Sequence, residues 1–254
     1  MTPEKLRTHL EGNWGVSLTV KESTASTMDD AAAAAARGAA DGYVVLADQQ
    51  TRGRGAHGRE WISPPGSDLY FSVVARPAIE AAATALVTLA TGLGVRDAVA
   101  SLLPSRSVLV KWPNDVWVEG EKCAGVLVES RTVGSRIDSV IIGVGLNVNR
   151  MEWPPALAAT SLRVQREGQT PFDRAEVLAI LLRRIEQWVT RLAHDGPASV
   201  VNALRPALAL VGERVRWEDG EGVFDGIDPD GAARVRTDAG VVSLHAAHLE
   251  RLEA

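Results

Sequence analysis

Short apolar runs alternate along the chain with longer periodic stretches. Tyr43–Ala47 (YVVLA), Leu69–Ala75 (LYFSVVA), Val108–Trp112 (VLVKW), Ala124–Glu129 (AGVLVE) and Val140–Val148 (VIIGVGLNV) are rich in β-branched and aromatic residues. Runs of that length and composition predict buried strands. Ser26–Arg37 (STMDDAAAAAAR) predicts a helix. Ser26 is a favoured N-cap, Asp29 stands where a capping box wants a carboxylate, and the alanines have the highest helix propensity. Gly38 and Gly42 can end it. Ala81–Leu103 has apolar spacing of three and four and predicts a long helix that ends before Pro104. From an N-cap at Asp173, the residues Val177, Ile180, Leu181, Ile185, Trp188, Val189 and Leu192 share one helical face, and Gly196–Pro197 stops that helix.

The pattern changes near Leu208. VRW, GVFDGI, ARVRT and VVSL follow one another, separated by EDGE and DPDG. Short strands joined by Gly and Asp turns predict a small β-barrel. The expected division is therefore 1–207 and 208–254. So short a β unit buries too little surface to fold alone, so it is expected to dock on the larger part. The fold class is α/β (α+β): a mixed sheet flanked by helices, then the small barrel.

Bulk properties narrow the function. The 254-residue chain is 46% hydrophobic and carries a formal charge of -5. An acidic total argues against coating nucleic acid, which needs many phosphate-facing cations. The single cysteine, Cys123, excludes an internal disulfide and suits a reducing compartment; it reads as a strand residue packed inward. No apolar run approaches a membrane span, and the N-terminus lacks a signal-peptide core. The expectation is a cytoplasmic protein with no membrane partner.

Two stretches hold candidate chemistry. Gln49–Trp61 (QQTRGRGAHGREW) combines Gly53, Gly55 and Gly58, which permit close backbone approach, with Arg52, Arg54 and Arg59, whose planar forks match phosphate or carboxylate oxygens. It is an anion cradle or a solvated surface loop. It is not a Walker A loop, because it lacks the Gly-Lys-Ser/Thr ending. Lys111–Glu129 (KWPNDVWVEGEKCAGVLVE) places a lysine at a strand end beside the turn carrying Asp115; Lys122 enters the next strand and Gly125 leaves room above it. It is either part of a site or a hairpin with both lysines in solvent.

The combination of QTRGRGAHGREW (Gln50–Trp61), KWPNDV (Lys111–Val116), KCAGVLVE (Lys122–Glu129) and GVGLNVN (Gly143–Asn149), in this order, resembles the biotin protein ligase family. The family's upstream Ser-Thr pair is matched by Ser26–Thr27, with Ser23–Thr24 a competing match at less suitable spacing from Gln50. Its SH3-like C-terminal domain is matched by about Leu208–Ala254. The resemblance covers nearly the whole chain. It implies a class II synthetase-like catalytic domain that activates biotin with MgATP to biotinyl-AMP. The biotinyl group then passes to a lysine of a biotin carboxyl carrier protein, on acetyl-CoA carboxylase or a related enzyme. Homodimers are common in the family.

The resemblance also implies residue roles. Ser26, Thr27 and Gln50 would bond the ureido ring, while Gly53 and Arg54 would line the biotin pocket with backbone and Gly125 would leave it space. The Arg54 side chain would face phosphate, and Arg59 would support the closed loop. Lys122 would contact the biotin carboxylate and α-phosphate as the main transition-state cation. Lys111 and Asn147 would meet the nucleotide. Asp115 would hold Mg²⁺ or orient the acceptor lysine, and Trp61 and Trp112 would pack on apolar parts of the ligands. Like charges must meet in such a reaction, which gives clustered cations their purpose.

Departures from the family pattern carry expectations of their own. Ala56 stands where the loop commonly has a second arginine, which implies a weaker grip on the adenylate, partly offset by His57 or Arg52. Met28 replaces a common asparagine and removes one polar contact. No DNA-binding domain of the repressor-type members is expected, so the protein should modify carriers without binding operator DNA. The rival readings are a lipoate ligase and a non-enzymatic biotin-binding protein. Polar ureido recognition by Gln50 and the Ser-Thr pair argues against the first, and the intact Lys111 and Lys122 argue against the second.

Overall fold

The computed structural model describes residues 2–133, 136–154 and 157–252. Its centre is a seven-stranded sheet in the order β1-β2-β3-β7-β6-β5-β4. The strands are β1 (Leu18–Thr24), β2 (Tyr43–Gln50), β3 (Leu69–Ala75), β4 (Val108–Lys111), β5 (Asp115–Val118), β6 (Glu121–Val133) and β7 (Arg136–Leu146). β1 and β2 run parallel, and every other neighbouring pair is antiparallel. β1 escapes the apolar-run criterion because Lys21, Glu22, Ser23 and Thr24 give it the polar character of an edge strand.

Helix α2 (Thr27–Ala36) covers one sheet face, where Met28 and Ala31 pack with Val45, Val74 and Ile141. The other face carries α3 (Thr84–Leu102), and behind it α5 (Arg174–Asp195). The short helices α1 (Pro3–Arg7) and α6 (Pro197–Leu204) pack on α5, and α4 (Leu162–Gln165) follows β7. Asp173 caps α5 as expected, accepting from the Ala175 N–H. Gly196 ends that helix, but Pro197 also begins α6, since proline at a first helical position costs no hydrogen bond. The segment Ala81–Leu102 is, by length and composition, apolar enough to cross a membrane, contrary to the reading that no run approaches a span. It is a core helix: Leu86, Val87, Leu89, Ala90 and Leu93 belong to the main hydrophobic cluster.

After α6 come β8 (Arg214–Trp217), β9 (Gly220–Ile227), β10 (Ala233–Thr237), β11 (Gly240–Leu244) and β12 (Glu250–Arg251). They form an antiparallel sheet in the order β11-β10-β9-β8-β12, and among the described residues its end strands are not paired into the closed barrel that the strand pattern predicts. It packs tightly against the larger part. Val215, Phe224, Ile227 and Val235 join the same core as α3, and the Trp112 indole donates to the Gly231 carbonyl at 2.9 Å.

Candidate active site

Sheet register builds the site. Lys111 pairs with Asp115, Asp115 with Gly125, Gly125 with Gly145, and Gly145 with Tyr70. Directly opposed residues in antiparallel strands point to the same face. One cross-strand row thus places a cation, a carboxylate, two side-chain-free positions and a phenol on the face that carries α2. Lys122 joins them through a β-bulge. Asp115 pairs with Gly125 and Val116 with Ala124, but Trp117 pairs with Lys122, so Cys123 is the extra residue. Strict alternation would put Lys122 on the face opposite Gly125. The bulge turns it to the same face and tucks Cys123 wholly into the core, where burial pushes its thiol pKa up.

Above this row lies a cavity of about 440 Å³. Ser26, Thr27, Gln50, Arg54, Arg59, Lys111, Asp115, Lys122, Gly125 and Asn147 all line it. Gly53 stands behind the wall, its carbonyl accepting from the Trp61 N–H at 3.0 Å. Ser23 and Thr24 lie in β1, with the Thr24 hydroxyl donating to Asp30, so the pair facing the cavity is Ser26–Thr27.

One end of the cavity is polar and neutral. Gln50 Oε1 accepts from the Thr27 N–H at 2.9 Å and from its hydroxyl at 3.2 Å, while Gln50 Nε2 donates to Ser63 Oγ at 3.0 Å. Thr27 Oγ1 lies 2.8 Å from the buried Ser72 hydroxyl. Ser26 is the N-cap residue of α2 but makes no side-chain cap bond; its buried hydroxyl has no partner among the described residues. Asp29, the expected capping-box partner, pairs instead with Arg54. A buried unpaired hydroxyl is costly unless a ligand satisfies it.

The other end is cationic. Lys122 Nζ stands 2.7 Å from Asp115 Oδ1 and 5.3 Å from the Trp61 ring centre. Among the described residues Asp115 Oδ1 has no aligned hydrogen-bond donor, so the contact is an ion pair by distance alone. Lys111 is only 6% exposed, with Nζ 5.4 Å from the Trp117 ring centre. Burial lowers its pKa to about 8; Asp115 opposes that shift, and Lys122 and Arg59 add to it. Both lysines are therefore site groups rather than solvent-facing hairpin residues. His248, from the C-terminal segment, also lines the cavity, its two ring nitrogens each 3.4 Å from an Arg59 guanidinium nitrogen. Burial, Lys111 and Arg59 lower its pKa to about 4, so the ring is neutral at pH 7.

Other residues sit differently from expectation. The Arg54 guanidinium is held by Asp29 at 2.9 Å and Glu129 at 2.8 Å. Asn147 lines the cavity but spends its amide on the Thr160 carbonyl at 2.9 Å. Trp112 faces the C-terminal sheet instead of the cavity. Met28 is a buried apolar wall whose sulfur occupies the space above Gly143. The His57 side chain lies outside the described residues.

Sequence reasoning missed Ser72, His248 and Arg150. Ser72 had a signal, a lone hydroxyl inside LYFSVVA. Arg150 had a weaker one, a charge closing an apolar strand. His248 had none, since its role depends on how the C-terminal sheet docks.

A model of the biotin/lipoate A/B protein ligase family matches residues 20–147. A biotin–[acetyl-CoA-carboxylase] ligase of Mycobacterium tuberculosis is 36% identical over 231 residues, covering 89% of this chain and 82% of that protein. One of Paracoccus denitrificans is 34% identical over 213 residues, covering 81% and 88% respectively. The Aquifex aeolicus biotin protein ligase in complex with biotin and ATP superposes with a TM-score of 0.80 at 28% identity, covering 93% of this chain and 100% of that one.

Proposed function

The chain belongs to the biotin protein ligase family, within the wider biotin/lipoate A/B ligases, and we propose that its cavity joins biotin to ATP and then passes the biotinyl group to a carrier lysine. One observation carries this reading: a single cavity has a neutral, hydrogen-bonding end at Ser26, Thr27 and Gln50 and a cationic end at Lys111, Lys122 and Arg59. A cyclic urea fits the first, and a carboxylate meeting a triphosphate fits the second.

In the first step a biotin carboxylate oxygen attacks the α-phosphorus of ATP. An O–P bond forms, the bond to the β-phosphate oxygen breaks, and pyrophosphate leaves with the electron pair. Lys122, at the junction of the two ends, neutralises charge on the carboxylate and α-phosphate. Lys111 and Arg59 serve the nucleotide phosphates. Arg54 reaches phosphate once it leaves Asp29 and Glu129. In the second step the carrier lysine's amine attacks the acyl carbon, AMP departs as its phosphate anion, and the amine proton passes to Asp115 or solvent. The carrier is a biotin carboxyl carrier domain of a carboxylase, as the names of the relatives suggest.

Asp115 would suit a role beside Mg²⁺, since among the described residues its buried Oδ1 has the Lys122 ammonium at 2.7 Å but no aligned donor. No group of three or more metal-ligating side chains stands together among the described residues. The ion, when bound, supplies charge neutralisation at the phosphates. The division into a catalytic part, 1–207, and a C-terminal part, 208–254, belongs to the same reading.

Biotin-dependent pyrophosphate release from ATP tests the function, with lipoate as the competing substrate. The expected result is turnover with biotin only. Turnover with lipoate alone would replace this reading by its nearest rival, which the Ser26 and Gln50 polar end disfavours. With neither acid active, the binding-protein reading would stand.

Lys111 gives a pH dependence. Its folded pKa, about 8, lies below its ordinary 10.5. Below pH 8 it is charged and available to phosphate; above, it is neutral. kcat/KM for ATP should therefore fall as pH rises through about 8. The stability term has the opposite sense. Burying the charged lysine costs stability below its folded pKa, and that cost disappears between about 8 and 10.5. A pH profile with ATP varied at saturating biotin checks the first; Tm against pH checks the second.

Ala56 lines the cavity beside Arg54 and Gly55. Ala56→Arg should slow escape of biotinyl-AMP from the enzyme. Trapping free adenylate after a single turnover measures this, and unchanged leakage would show that the missing cation is immaterial.

A further inference from the structure

At the edge of the cavity, which Arg150 itself lines, sits a mostly buried polar cluster that the mechanism above does not use. Arg150, 9% exposed, follows β7; Asp68 and Tyr70 flank the start of β3. Arg150 Nε donates to Asp68 Oδ2 at 2.8 Å. Its Nη2 donates to the Ile62 carbonyl at 2.9 Å and to the Tyr70 hydroxyl at 3.1 Å. The Tyr70 hydroxyl lies 3.0 Å from the Pro64 carbonyl and 3.1 Å from Asp68 Oδ2; burial first, and then Asp68, raise its pKa, so it stays protonated. Asp68 Oδ1 accepts from the Val148 N–H at 2.9 Å, and Ser161 Oγ donates to the Arg150 carbonyl at 2.6 Å.

What this cluster grips is the return limb of the arginine-glycine loop. Ile62 sits between Trp61, whose ring lies on Gly125 and Gly145, and Ser63. Ser63 Oγ accepts from Gln50 Nε2 and donates to the Trp61 carbonyl at 2.9 Å. Gln50 and Ser63 form a backbone bridge, and the Trp61 N–H reaches the Gly53 carbonyl. A continuous path therefore leads from Arg150 through the Ile62 carbonyl and Ser63 to the Gln50 amide. No other side chain is shown bonding the Ile62 carbonyl among the described residues.

We propose that Arg150 is a positioning residue for biotin recognition: its guanidinium fixes the Trp61–Ser63 limb, and through Ser63 it fixes the rotamer in which Gln50 presents its amide to the ureido group. This rests on the biotin reading above. The fork geometry matters because one planar group reaches Asp68, Tyr70 and Ile62 at once. An ammonium keeps the charge beside Asp68 but cannot span all three.

The test is steady-state pyrophosphate release by the full chain, with biotin and ATP varied separately and Tm measured in parallel. Arg150→Lys should raise KM for biotin about tenfold, the scale of one lost charge-assisted hydrogen bond, while kcat and KM for ATP stay within about twofold. Ser63→Ala should raise the same KM and add little in the Arg150→Lys background, because both lie on one path. Tyr70→Phe keeps the Arg150–Asp68 pair and should raise the biotin KM by less. Wild-type biotin KM in Arg150→Lys would overturn the proposal, as would an equal rise in KM for ATP or full additivity with Ser63→Ala. If Arg150→Lys does not fold, Tyr70→Phe decides, and an unchanged biotin KM there overturns it. Wild-type protein that releases no pyrophosphate with biotin would instead sink the functional reading, and the proposal with it.

Discussion

Replacing Lys122 by alanine should slow biotinyl-adenylate formation about 10²–10³-fold, the range found when one preorganised charge-stabilising donor is removed from an active site. Several kinds of contact fix the ammonium: Asp115 at 2.7 Å, the Trp61 ring face at 5.3 Å and the bulge that turns its Cα toward the cavity. Little reorganisation is then left for the moment of reaction. Single-turnover formation of [α-³²P]AMP-linked biotin measures the step directly. The substitution also leaves the buried Asp115 carboxylate without its cation, which costs stability. Lys122→Ala/Asp115→Asn separates the two effects. The double variant should recover Tm but not the rate. Wild-type adenylation in the single variant would remove Lys122 from the chemistry.

A comparable loss is expected at a position with no functional group at all. A Cβ on Gly145 would lie 2.3 Å from Trp61 Cε2 and 2.5 Å from its Nε1. Relief requires the indole to rise by about 1 Å to reach ordinary contact distance. It would rise into the space for the ligand, and displacements of that size can cost about 10²-fold in turnover. Gly145→Ala should therefore lower kcat/KM for biotin by about that factor. Its backbone tolerates alanine, because its φ is not in the left-handed region. Tm should change little. At Gly143, also on the cavity, the added carbon would instead meet the buried Met28 side chain, its sulfur at 2.5 Å and its Cγ at 3.1 Å. If Gly145→Ala turns over biotin as fast as wild type, the indole does not form the floor of the site.

These two positions mark the limit of what can be read from residues alone. The strand runs at 43–47, 69–75, 108–111 and 140–146 and the helices after Ser26 and Asp173 were legible, since apolar period and capping chemistry act locally. The site residues were legible only through their resemblance to a family. Alternation predicts that Lys122 faces away from Gly125, and only the register shift at Cys123 reverses that. A bulge is decided by the pairing of two strands, which no local pattern encodes. The Asp29 capping box failed for a related reason: Arg54, distant in sequence, offered its carboxylate a full charge in place of a backbone N–H. Arg150 and Asp68 are far apart in the chain and meet only because β3 and β7 are neighbours.

The seat of Gly231 has a last consequence. It presses on Leu86 and Leu89 of α3 so closely that a Cβ would lie 2.7 Å from a leucine methyl, while its carbonyl accepts the Trp112 indole proton. The terminal sheet is therefore not an interchangeable cassette. Grafting the corresponding piece from a relative, even one of the same family, would replace a fitted surface with an approximate one. Such chimaeras should lose stability at this seam, and unless they keep His248 they also alter the cavity wall beside Arg59.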